Sequence, residues 1–285
     1  MAVTADRIHA AEILAKKIRR DVLEEMLEFG SGHVGGSLSI ADLMAVLYSG
    51  EAQVDPNNPK DPSRDRIILS KGHAGPAWYA ALAERGFFSK DWLMTLNKSH
   101  TNLPSHPDRT KTPGVDATTG SLGQGTSVAA GIAYALRLQN NPAYTYLICG
   151  DGELDEGQCW EAFQFIAHYK LNHLIVIIDE NKKQLDGYTK DVINPQDIAE
   201  KMRAFGFSTQ RVDGQSAEAI LCALQDAKQI TDKPSCIVLS TTKGAGVPYF
   251  AELMNNHSVV FSGDARDAAQ EALAVFNAEL AAEEA

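Results

Sequence analysis

The sequence TYLICGDGELDEG, from Thr145 to Gly157, joins a run of apolar residues to a polar turn in which glycine stands on both sides of Asp151. TYLIC (145–149) is typical of a short buried strand, and the glycines bring that strand to an end. A helical pattern follows at GQCWEAFQFIAHYK (157–170), and a second apolar run follows at HLIVIID (173–179). A strand, a crossover helix and a second strand together predict a parallel pair of strands.

The same alternation of apolar runs and helical patterns extends along the chain in both directions. Further strands are predicted at RIILS (66–70), FSTQRV (207–212) and SCIVLST (235–241), and helices at 6–29, 40–48, 78–85, 126–138 and 217–229 and from Ala265 onward. SGHVGGSLS (31–39) and residues 97–125 lack periodicity and are expected to be loops. The pattern predicts an α/β fold in a single domain, residues 1–285, with a doubly wound, mostly parallel sheet and helices on both faces.

Composition and charge argue against several classes of function. Lys and Arg number 26 against 37 Asp and Glu, and the resulting net charge of −11 argues against a nucleic-acid-binding surface. The N-terminal segment lacks the apolar core of a signal peptide, and no stretch approaches the roughly 20 apolar residues that span a bilayer. The four cysteines show no metal-binding spacing. We therefore expect a soluble, cytoplasmic protein that keeps its thiols reduced and binds neither nucleic acid nor membranes.

Two polar residues are predicted to meet at the carboxyl edge of the sheet. Asp151 directly follows the strand TYLIC, and Asn181 follows HLIVIID. Ligands of such sheets bind beyond the carboxyl ends of the strands, and one right-handed crossover joins these two strands, so we expect the two side chains to lie side by side. A carboxylate and an amide oxygen beside glycine amides suit Mg²⁺ that also takes oxygens from a diphosphate. The sequence therefore predicts a magnesium and diphosphate site.

The segment GDGELDEG followed by DENKKQLDG resembles the thiamine diphosphate signature, which begins with GDG and closes about thirty residues later with Asn. The acidic DEG and the run IDENKKQLDG resemble transketolases in particular. The resemblance implies the thiamine-diphosphate-binding fold, with Mg²⁺ held by the side chains of Asp151 and Asn181 and by the backbone carbonyl of Lys183. It also implies that Glu156 lies at a subunit boundary, where it couples to an acid of the partner.

Other motifs resemble the same family from end to end. SGHVGGSLS resembles its SGHPG loop, LSKGHA its LSxGHA loop, SHPDRTKTPGVDATTGSLGQG its next loop, and STTKGAGV its TxKGxGV segment. The resemblance implies that His33, His73 and His106 surround the thiazolium ring and the hydroxyl groups of the substrate. It assigns cofactor contacts to His73, Gly120, Ser121, Leu122, Gly123, Gly150, Asp151, Gly152, Glu153, Asn181, Leu185, Lys243 and His257.

The chain also departs from the family's motifs. The family usually has proline where this chain has Val34 and Ser121, and neither change removes a side-chain ligand. The family's closing loop carries Trp-His-Gly, whereas this chain reads MNNHSVVFSGD (254–264). Two interpretations stay open: His257 takes the role of that histidine from a shifted position, or Ser262 occupies the position and the histidine is lost. The histidines that match no motif, and are expected at the surface or in packing, are His9, His100, His168 and His173.

The resemblance covers nearly all of this chain but only about the first half of a full-length transketolase. It therefore implies the N-terminal, diphosphate-binding subunit of a split enzyme. A C-terminal, pyrimidine-binding subunit would supply the glutamate that activates the cofactor, in an α2β2 heterotetramer. The implied reaction transfers a two-carbon ketol unit from a ketose or ketose phosphate to an aldose, with thiamine diphosphate and Mg²⁺ as cofactors. The alternatives are a transketolase for an unusual sulfo- or branched sugar, a subunit of another thiamine diphosphate enzyme, and a cofactor-binding subunit without catalysis.

Overall fold

A five-stranded parallel sheet forms the centre of the computed structural model, which describes residues 3–283. The strands are β1 (Ser31–Gly32), β2 (Arg66–Leu69), β3 (Thr145–Gly150), β4 (Leu174–Glu180), β5 (Lys183–Gln184), β6 (Gly187–Tyr188), β7 (Ser208–Asp213), β8 (Ser235–Ser240) and β9 (Val259–Val260). The sheet has the order β2-β3-β4-β8-β7, and every neighbouring pair is parallel. The predicted parallel pairing of β3 with β4 is confirmed, with Thr145 opposite Leu174 and Gly150 opposite Asp179.

Helices cover both faces of this sheet. They are α1 (Ala5–Phe29), α2 (Val34–Leu38), α3 (Ala41–Val46), α4 (Gly75–Glu84), α5 (Gln124–Leu138), α6 (Gly157–His168), α7 (Thr189–Val192), α8 (Ile198–Ala204), α9 (Ala217–Gln229), α10 (Pro248–Glu252) and α11 (Asp264–Glu283). Ile148 and Ile177 belong to the core that contains α1, α3, α4 and α9. Their neighbours Leu147 and Val176 belong to the core that contains α5, α6 and α8. Because β3, β4 and β8 are buried on both faces, they have nearly continuous apolar sequences, whereas the edge strand β7 is partly exposed and polar. The predicted doubly wound α/β fold is confirmed.

The segment SGHVGGSLS (31–39) was expected to be a loop, and that expectation is wrong. Residues 31–32 form β1, which pairs with β9, and residues 34–38 form α2, which is buried throughout. The glycines serve close packing here, because a Cβ atom on Gly35 would lie only 2.4 Å from the carbonyl oxygen of Asn256. Glycine-rich composition alone does not distinguish close packing from irregular structure.

Residues 97–123, all of which the structure describes, form the long irregular segment that the sequence predicts. The segment is packed against the sheet, since the side chains of Val115 and Ala117 are buried. The hydroxyl of Thr119 donates to the carbonyl of Leu69 at 2.6 Å. This contact holds the following glycine-containing turn beside the carboxyl end of β2.

Three of the four cysteines belong to the packed core. Cys149, Cys159 and Cys236 are buried, Cys222 is exposed, and all four are free thiols. A search of residues 3–283 finds no helix that is both long enough and apolar enough to cross a membrane.

Candidate functional site

A cavity of about 170 Å³ lies beyond the carboxyl ends of β3, β4 and β8, where the sequence predicts a ligand. Its lining residues are Lys71, His73, Leu122, Gly150, Asp151, Gly152, Glu153, Asn181, Lys183, Gln184, Leu185, Lys243 and His257. Two larger cavities, of about 490 and 460 Å³, lie near the ends of α5 and α6 and between α10 and α11. Neither is lined by any of the predicted site residues, so the smaller cavity is the candidate site.

The carboxylate of Asp151 is held by backbone groups from two loops. It accepts hydrogen bonds from the N–H of Gly152 at 2.9 Å and from the N–H of Lys182 at 2.6 Å. Its own N–H donates to the carbonyl of Asp179 at 3.1 Å, so the ends of β3 and β4 lie side by side. Burial, followed by the charge of Asp179, raises the pKa of Asp151 to about 7, although the two hydrogen bonds and Lys71 oppose the shift. A carboxylate this strongly desolvated would be stabilised by a nearby cation.

Asn181 and Lys183 bring two further oxygen atoms to the same cavity. The Oδ1 atom of Asn181 accepts from the N–H of Lys183 at 3.1 Å, and its Nδ2 atom donates to Asp179 at 2.8 Å. The carbonyl oxygen of Lys183 accepts from Nζ of Lys243 at 3.0 Å. Burial is the main reason why the pKa of Lys243 falls to about 8.

These donors fit a divalent cation together with a diphosphate. Mg²⁺ prefers oxygen ligands, and a carboxylate, an amide oxygen and a carbonyl leave further positions for phosphate oxygens and water. No group of three or more His, Cys, Asp or Glu side chains in metal-binding geometry occurs within residues 3–283, so a cation here depends on the amide and carbonyl oxygens. Lys71 and Lys243 both line the cavity. The ammonium group of Lys71 already pairs with Asp179, so Lys243 is the group that would offset the charge of a diphosphate.

The turn from Gly120 to Gly123 depends on glycine at both ends. Gly120 has a φ of 145°, and a Cβ atom there would lie 3.0 Å from the ring of His106. Gly123 has a φ of 82°, and its N–H donates to Glu153 at 2.8 Å. Leu122, between them, lines the cavity. The turn therefore adds the apolar side chain of Leu122 to the cavity wall.

Glu153 connects three loops of the site. Its Oε1 atom accepts from the hydroxyl of Ser70 at 2.5 Å and from the N–H of Gly123 at 2.8 Å, and its Oε2 atom accepts from the N–H of Gly150 at 3.0 Å. Burial raises the pKa of Glu153, although these hydrogen bonds and Lys71 oppose the shift. Glu153 therefore holds together the loops that contain Ser70, Gly123 and Gly150.

Four imidazole rings gather beside the cavity. The ring centroid of His33 lies 5.7 Å from that of His73, 5.9 Å from that of His106 and 5.4 Å from that of His257. The rings of His73 and His257 are closer, at 4.6 Å. Burial is the largest cause that lowers the pKa of each histidine, and the pKa of His257 falls to about 4. The rings are therefore neutral near pH 7, where each can both donate and accept a hydrogen bond.

His257 lies in this cluster, whereas Ser262 does not. The Nδ1 atom of His257 is 3.2 Å from Nζ of Lys243, while Ser262 is exposed just before α11. The buried amide of Asn256 fixes the loop by donating to the carbonyls of Lys243 and Phe250, at 2.9 and 2.7 Å. The geometry therefore favours the shifted histidine. The role of Asn256 could not be predicted, because the run MNN (254–256) to which it belongs carries no signal for a buried amide.

Some predicted residues lie at the edge of the site. Glu156 is exposed immediately before α6 and does not line the cavity. Ser121 is exposed as well, and Leu185 lines the cavity although its side chain is 64% exposed. These positions are open to contact with a second chain.

A buried ion pair that the sequence does not predict lies at the base of the cavity. Nζ of Lys71 lies 2.5 Å from a carboxylate oxygen of Asp179, and the two side chains are 1% and 0% exposed. Lys71 occupies the variable position of the LSKGHA motif, and Asp179 ends an apolar run. The rarity of a charge in a buried strand is the only signal that could have pointed to Asp179.

The family model described as transketolase, thiamine diphosphate binding domain, matches residues 10–280. The chain belongs to the transketolase family. A transketolase relative in a Clostridium species, the 6-deoxy-6-sulfo-D-fructose transketolase subunit SqwG, is 48% identical over 245 residues, which cover 86% of this chain and 89% of that protein. An apulose-4-phosphate transketolase subunit of Actinobacillus succinogenes is 39% identical over 262 residues, which cover 91% of this chain and 94% of that protein.

Solved transketolase structures share the fold but have longer chains. The transketolase of Leishmania mexicana aligns with a TM-score of 0.81 at 30% identity, and that of Campylobacter jejuni with a TM-score of 0.84 at 28% identity. The alignments cover 96% and 95% of this chain but only 46% and 43% of those transketolase chains. The predicted family, its thiamine diphosphate-binding part and the assignment to the transketolase class of transferases are confirmed.

Proposed function

We propose that this chain is the diphosphate-binding subunit of a transketolase that uses thiamine diphosphate and Mg²⁺ to transfer a two-carbon ketol unit from a ketose to an aldose. The proposal rests on one observation: a set of oxygen atoms and a set of imidazole rings lie together at the carboxyl edge of the sheet. The oxygens of Asp151, Asn181 and Lys183 suit the metal and diphosphate end of the cofactor, and four imidazoles suit a substrate rich in hydroxyl groups. In this proposal residues 1–285 form one thiamine diphosphate domain of a cytoplasmic enzyme.

The chain's part in cofactor binding follows from the cavity wall. Thiamine diphosphate, when bound, supplies the carbon centre that stabilises the carbanion of ketol transfer. Asp151, Asn181 and the carbonyl of Lys183 hold Mg²⁺ in this proposal, and Lys243 contacts the diphosphate. The glycine turns at 120–123 and 150–152 allow the backbone to approach the diphosphate closely.

The histidines carry the contacts to the substrate in this proposal. His33, His73, His106 and His257 hold hydroxyl groups of the ketose and move protons between them. Because burial lowers the pKa of all four rings, they are neutral at pH 7 and can act as donor or acceptor. A subunit that only bound the cofactor would need no such cluster, so the arrangement favours catalysis over scaffolding.

We expect the donor substrate to be a ketose with an anionic end group or a branched ketose. The relatives of similar length are named for 6-deoxy-6-sulfo-D-fructose and for apulose-4-phosphate. The closing loop of this chain, MNNHSVVFSGD, differs from the Trp-His-Gly of the wider family, which is consistent with an altered donor site.

A second subunit completes the site in this proposal. This chain corresponds to less than half of the solved transketolase chains. Apolar side chains are exposed on the segments 185–193 and 254–260, which adjoin the site residues Lys183 and His257 along the chain; they are Leu185, Tyr188, Ile193, Met254 and Val260. Exposed apolar side chains beside a site suit burial against a second chain. The partner is a C-terminal, pyrimidine-binding transketolase subunit, and the assembly contains two copies of each chain.

Calorimetric titration tests the proposed function directly. Thiamine diphosphate and Mg²⁺ are titrated into the full chain, first alone and then together with a C-terminal transketolase subunit. We expect Mg²⁺-dependent binding that is strongest with both chains, followed by ketol transfer from a sulfo-ketose or a ketose phosphate. Absence of binding in both preparations would overturn the cofactor assignment.

Asp151→Ala tests the assigned metal ligand. We expect Mg²⁺-dependent cofactor binding to weaken by about 100-fold or more, because a ligand to the ion is lost, while the fold is retained. Asp186→Ala is the matched control, since Asp186 is an exposed carboxylate in the neighbouring hairpin and does not line the cavity. Equal cofactor binding by the two variants would contradict the role of Asp151.

A further inference from the structure

Beneath the cavity, one buried carboxylate accepts hydrogen bonds from four separate segments of the chain. The Oδ2 atom of Asp179 accepts from Nζ of Lys71 at 2.5 Å, from the hydroxyl of Ser39 at 2.7 Å and from Nδ2 of Asn181 at 2.8 Å. Its Oδ1 atom accepts from the hydroxyl of Thr241. Asp179 is completely buried and does not line the cavity. Its influence on the site therefore passes through the residues that it contacts.

The contact with Asn181 distinguishes the two ends of the amide. The nitrogen and oxygen of an amide side chain have similar shapes, but only the nitrogen can donate to a carboxylate. With Nδ2 held by Asp179, the Oδ1 atom lies on the other side, where it accepts from the N–H of Lys183. A flipped amide would bring its oxygen against the carboxylate of Asp179, which is electrostatically unfavourable. The carboxylate therefore selects one of the two orientations.

Lys71 is the charge partner of this carboxylate inside the protein. Its Nζ atom lies 2.5 Å from Asp179 and also donates to the carbonyl of Gly36 at 2.9 Å. The two side chains are 1% and 0% exposed. Removing either residue would leave the other as an unpaired buried charge, so Lys71 and Asp179 act as one unit.

We propose that Asp179 is a positioning residue for the cation site: it turns the amide oxygen of Asn181 toward the ion. Lys71 acts through Asp179. The inference rests on the proposed function, because that function makes Asn181 a ligand of Mg²⁺. The ion pair should therefore change the affinity for Mg²⁺. Once Mg²⁺ is saturating, it should have little effect on the affinity for diphosphate.

The test replaces the ion pair as a unit in the full chain, as Lys71→Met/Asp179→Leu. Changing both residues avoids leaving one buried charge unpaired, and apolar replacements of a buried pair are often close to neutral for stability. Calorimetry with Mg²⁺ and inorganic diphosphate is the probe, because in the proposed function both ligands bind to residues of this chain and need no second subunit. We expect the apparent Kd for Mg²⁺ to rise about 10- to 100-fold. Diphosphate affinity at saturating Mg²⁺ should stay within about threefold of that of the unmodified chain.

Thr241→Val is the matched control, because it removes a donor from the other oxygen of Asp179 and leaves the contact to Asn181. It should lower the Tm without changing the Mg²⁺ dependence. If Lys71→Met/Asp179→Leu does not fold, the nearly isosteric Lys71→Met/Asp179→Asn replaces it, since an amide at 179 cannot select the orientation of Asn181.

The outcomes separate the inference from the proposed function. Unchanged Mg²⁺ affinity in the folded double variant overturns the inference, and so does an equal loss in Thr241→Val, because loss of packing would then explain both. Absence of Mg²⁺-dependent diphosphate binding in the unmodified chain overturns the proposed metal site itself. Binding by the unmodified chain with a selective loss of Mg²⁺ affinity in the double variant supports both.

Discussion

At the scale of single residues, the buried carboxyl groups fall into two classes. Asp179 and Glu153 each accept at least three hydrogen bonds. Glu25 in α1 is equally buried, yet neither of its oxygens has a hydrogen-bond partner among the residues that the structure describes. Burial, followed by repulsion from Asp21, raises the pKa of Glu25 well above its ordinary value. An unsatisfied buried group of this kind costs about 1–3 kcal/mol.

We expect Glu25→Met to raise the free energy of unfolding by about 1–3 kcal/mol at pH 8. The folded-state pKa is raised, so the folded chain favours the protonated carboxyl. The part of the destabilisation that comes from the charge is therefore absent below the pKa of the unfolded chain and grows as the pH rises toward the folded-state pKa. The gain from Glu25→Met should consequently be smaller at pH 5 than at pH 8, and urea unfolding at both pH values measures it.

Glu28→Met in the same helix is the control for that prediction. Glu28 is exposed and pairs with Lys98 at the surface, so its removal should leave the free energy of unfolding nearly unchanged at either pH. A Glu25→Met chain that is no more stable than the unmodified chain at pH 8 would contradict the assignment of Glu25 as an unsatisfied group.

Residues of the site with local signals could be predicted, and those that act across long sequence separations could not. Asp151 stands between two glycines at the end of an apolar run, and His33, His73 and His106 each lie in a recognisable motif. Lys71 and Asp179 meet across 108 residues, and no local pattern encodes such a contact. Asn256 could not be predicted either, because its role depends on the carbonyl groups of Lys243 and Phe250 that surround it.

At the scale of elements, α2 and the loop that carries His257 pack as one unit. The N–H of Gly35 donates to the carbonyl of Asn256 at 3.0 Å, and the carbonyl of Gly35 accepts from the N–H of Gly244 at 3.0 Å. A side chain at position 35 would collide with Asn256. This glycine therefore determines how closely the closing loop approaches α2.

Gly35→Ala should displace the closing loop and destabilise the fold by about 1–3 kcal/mol. Thiamine diphosphate binding should weaken too, because His257 and Lys243 lie on the displaced segments. Thermal unfolding and calorimetry measure the two effects.

Gly131→Ala in α5 is the matched control for Gly35→Ala. Its Cβ atom would meet no other atom within 4 Å, and alanine favours the helix by roughly 0.5–1 kcal/mol. If Gly35→Ala were as stable as Gly131→Ala, the close contact with Asn256 could not be what positions the loop.

Elements were predictable where periodicity and turn residues agree. The strands from β2 to β4 and the long helices follow this rule, with boundaries shifted by only a few residues. The α2 helix was missed, because its five residues are too few to show a helical period and include two glycines. Tertiary packing against Asn256 stabilises it, and packing of that kind is not visible in the local sequence.

At the scale of the whole molecule, apolar side chains are exposed on segments that adjoin the site residues along the chain. Ile193 and Val260 are 59% and 67% exposed. We expect Ile193→Asp to weaken assembly with the C-terminal subunit by about tenfold or more, because a charge would be buried in the interface. Val275→Asp on α11 is the control, since Val275 is 49% exposed and lies away from the cavity loops. Sedimentation of mixed subunits measures the effect, and equal weakening by both variants would place the interface elsewhere.

The hydrogen bonds that meet at Asp179 also bear on how the chain folds. Ser39, Lys71 and Thr241 lie 140, 108 and 62 residues from Asp179 along the sequence. Contacts between such distant residues form late, because closing long loops costs entropy before the contacts become stabilising. A nascent chain cannot assemble this group of contacts until β8 and Thr241 have left the ribosome. An intermediate that already contained most of its helices would still lack the cation site, so Mg²⁺-dependent binding would report the completion of folding itself.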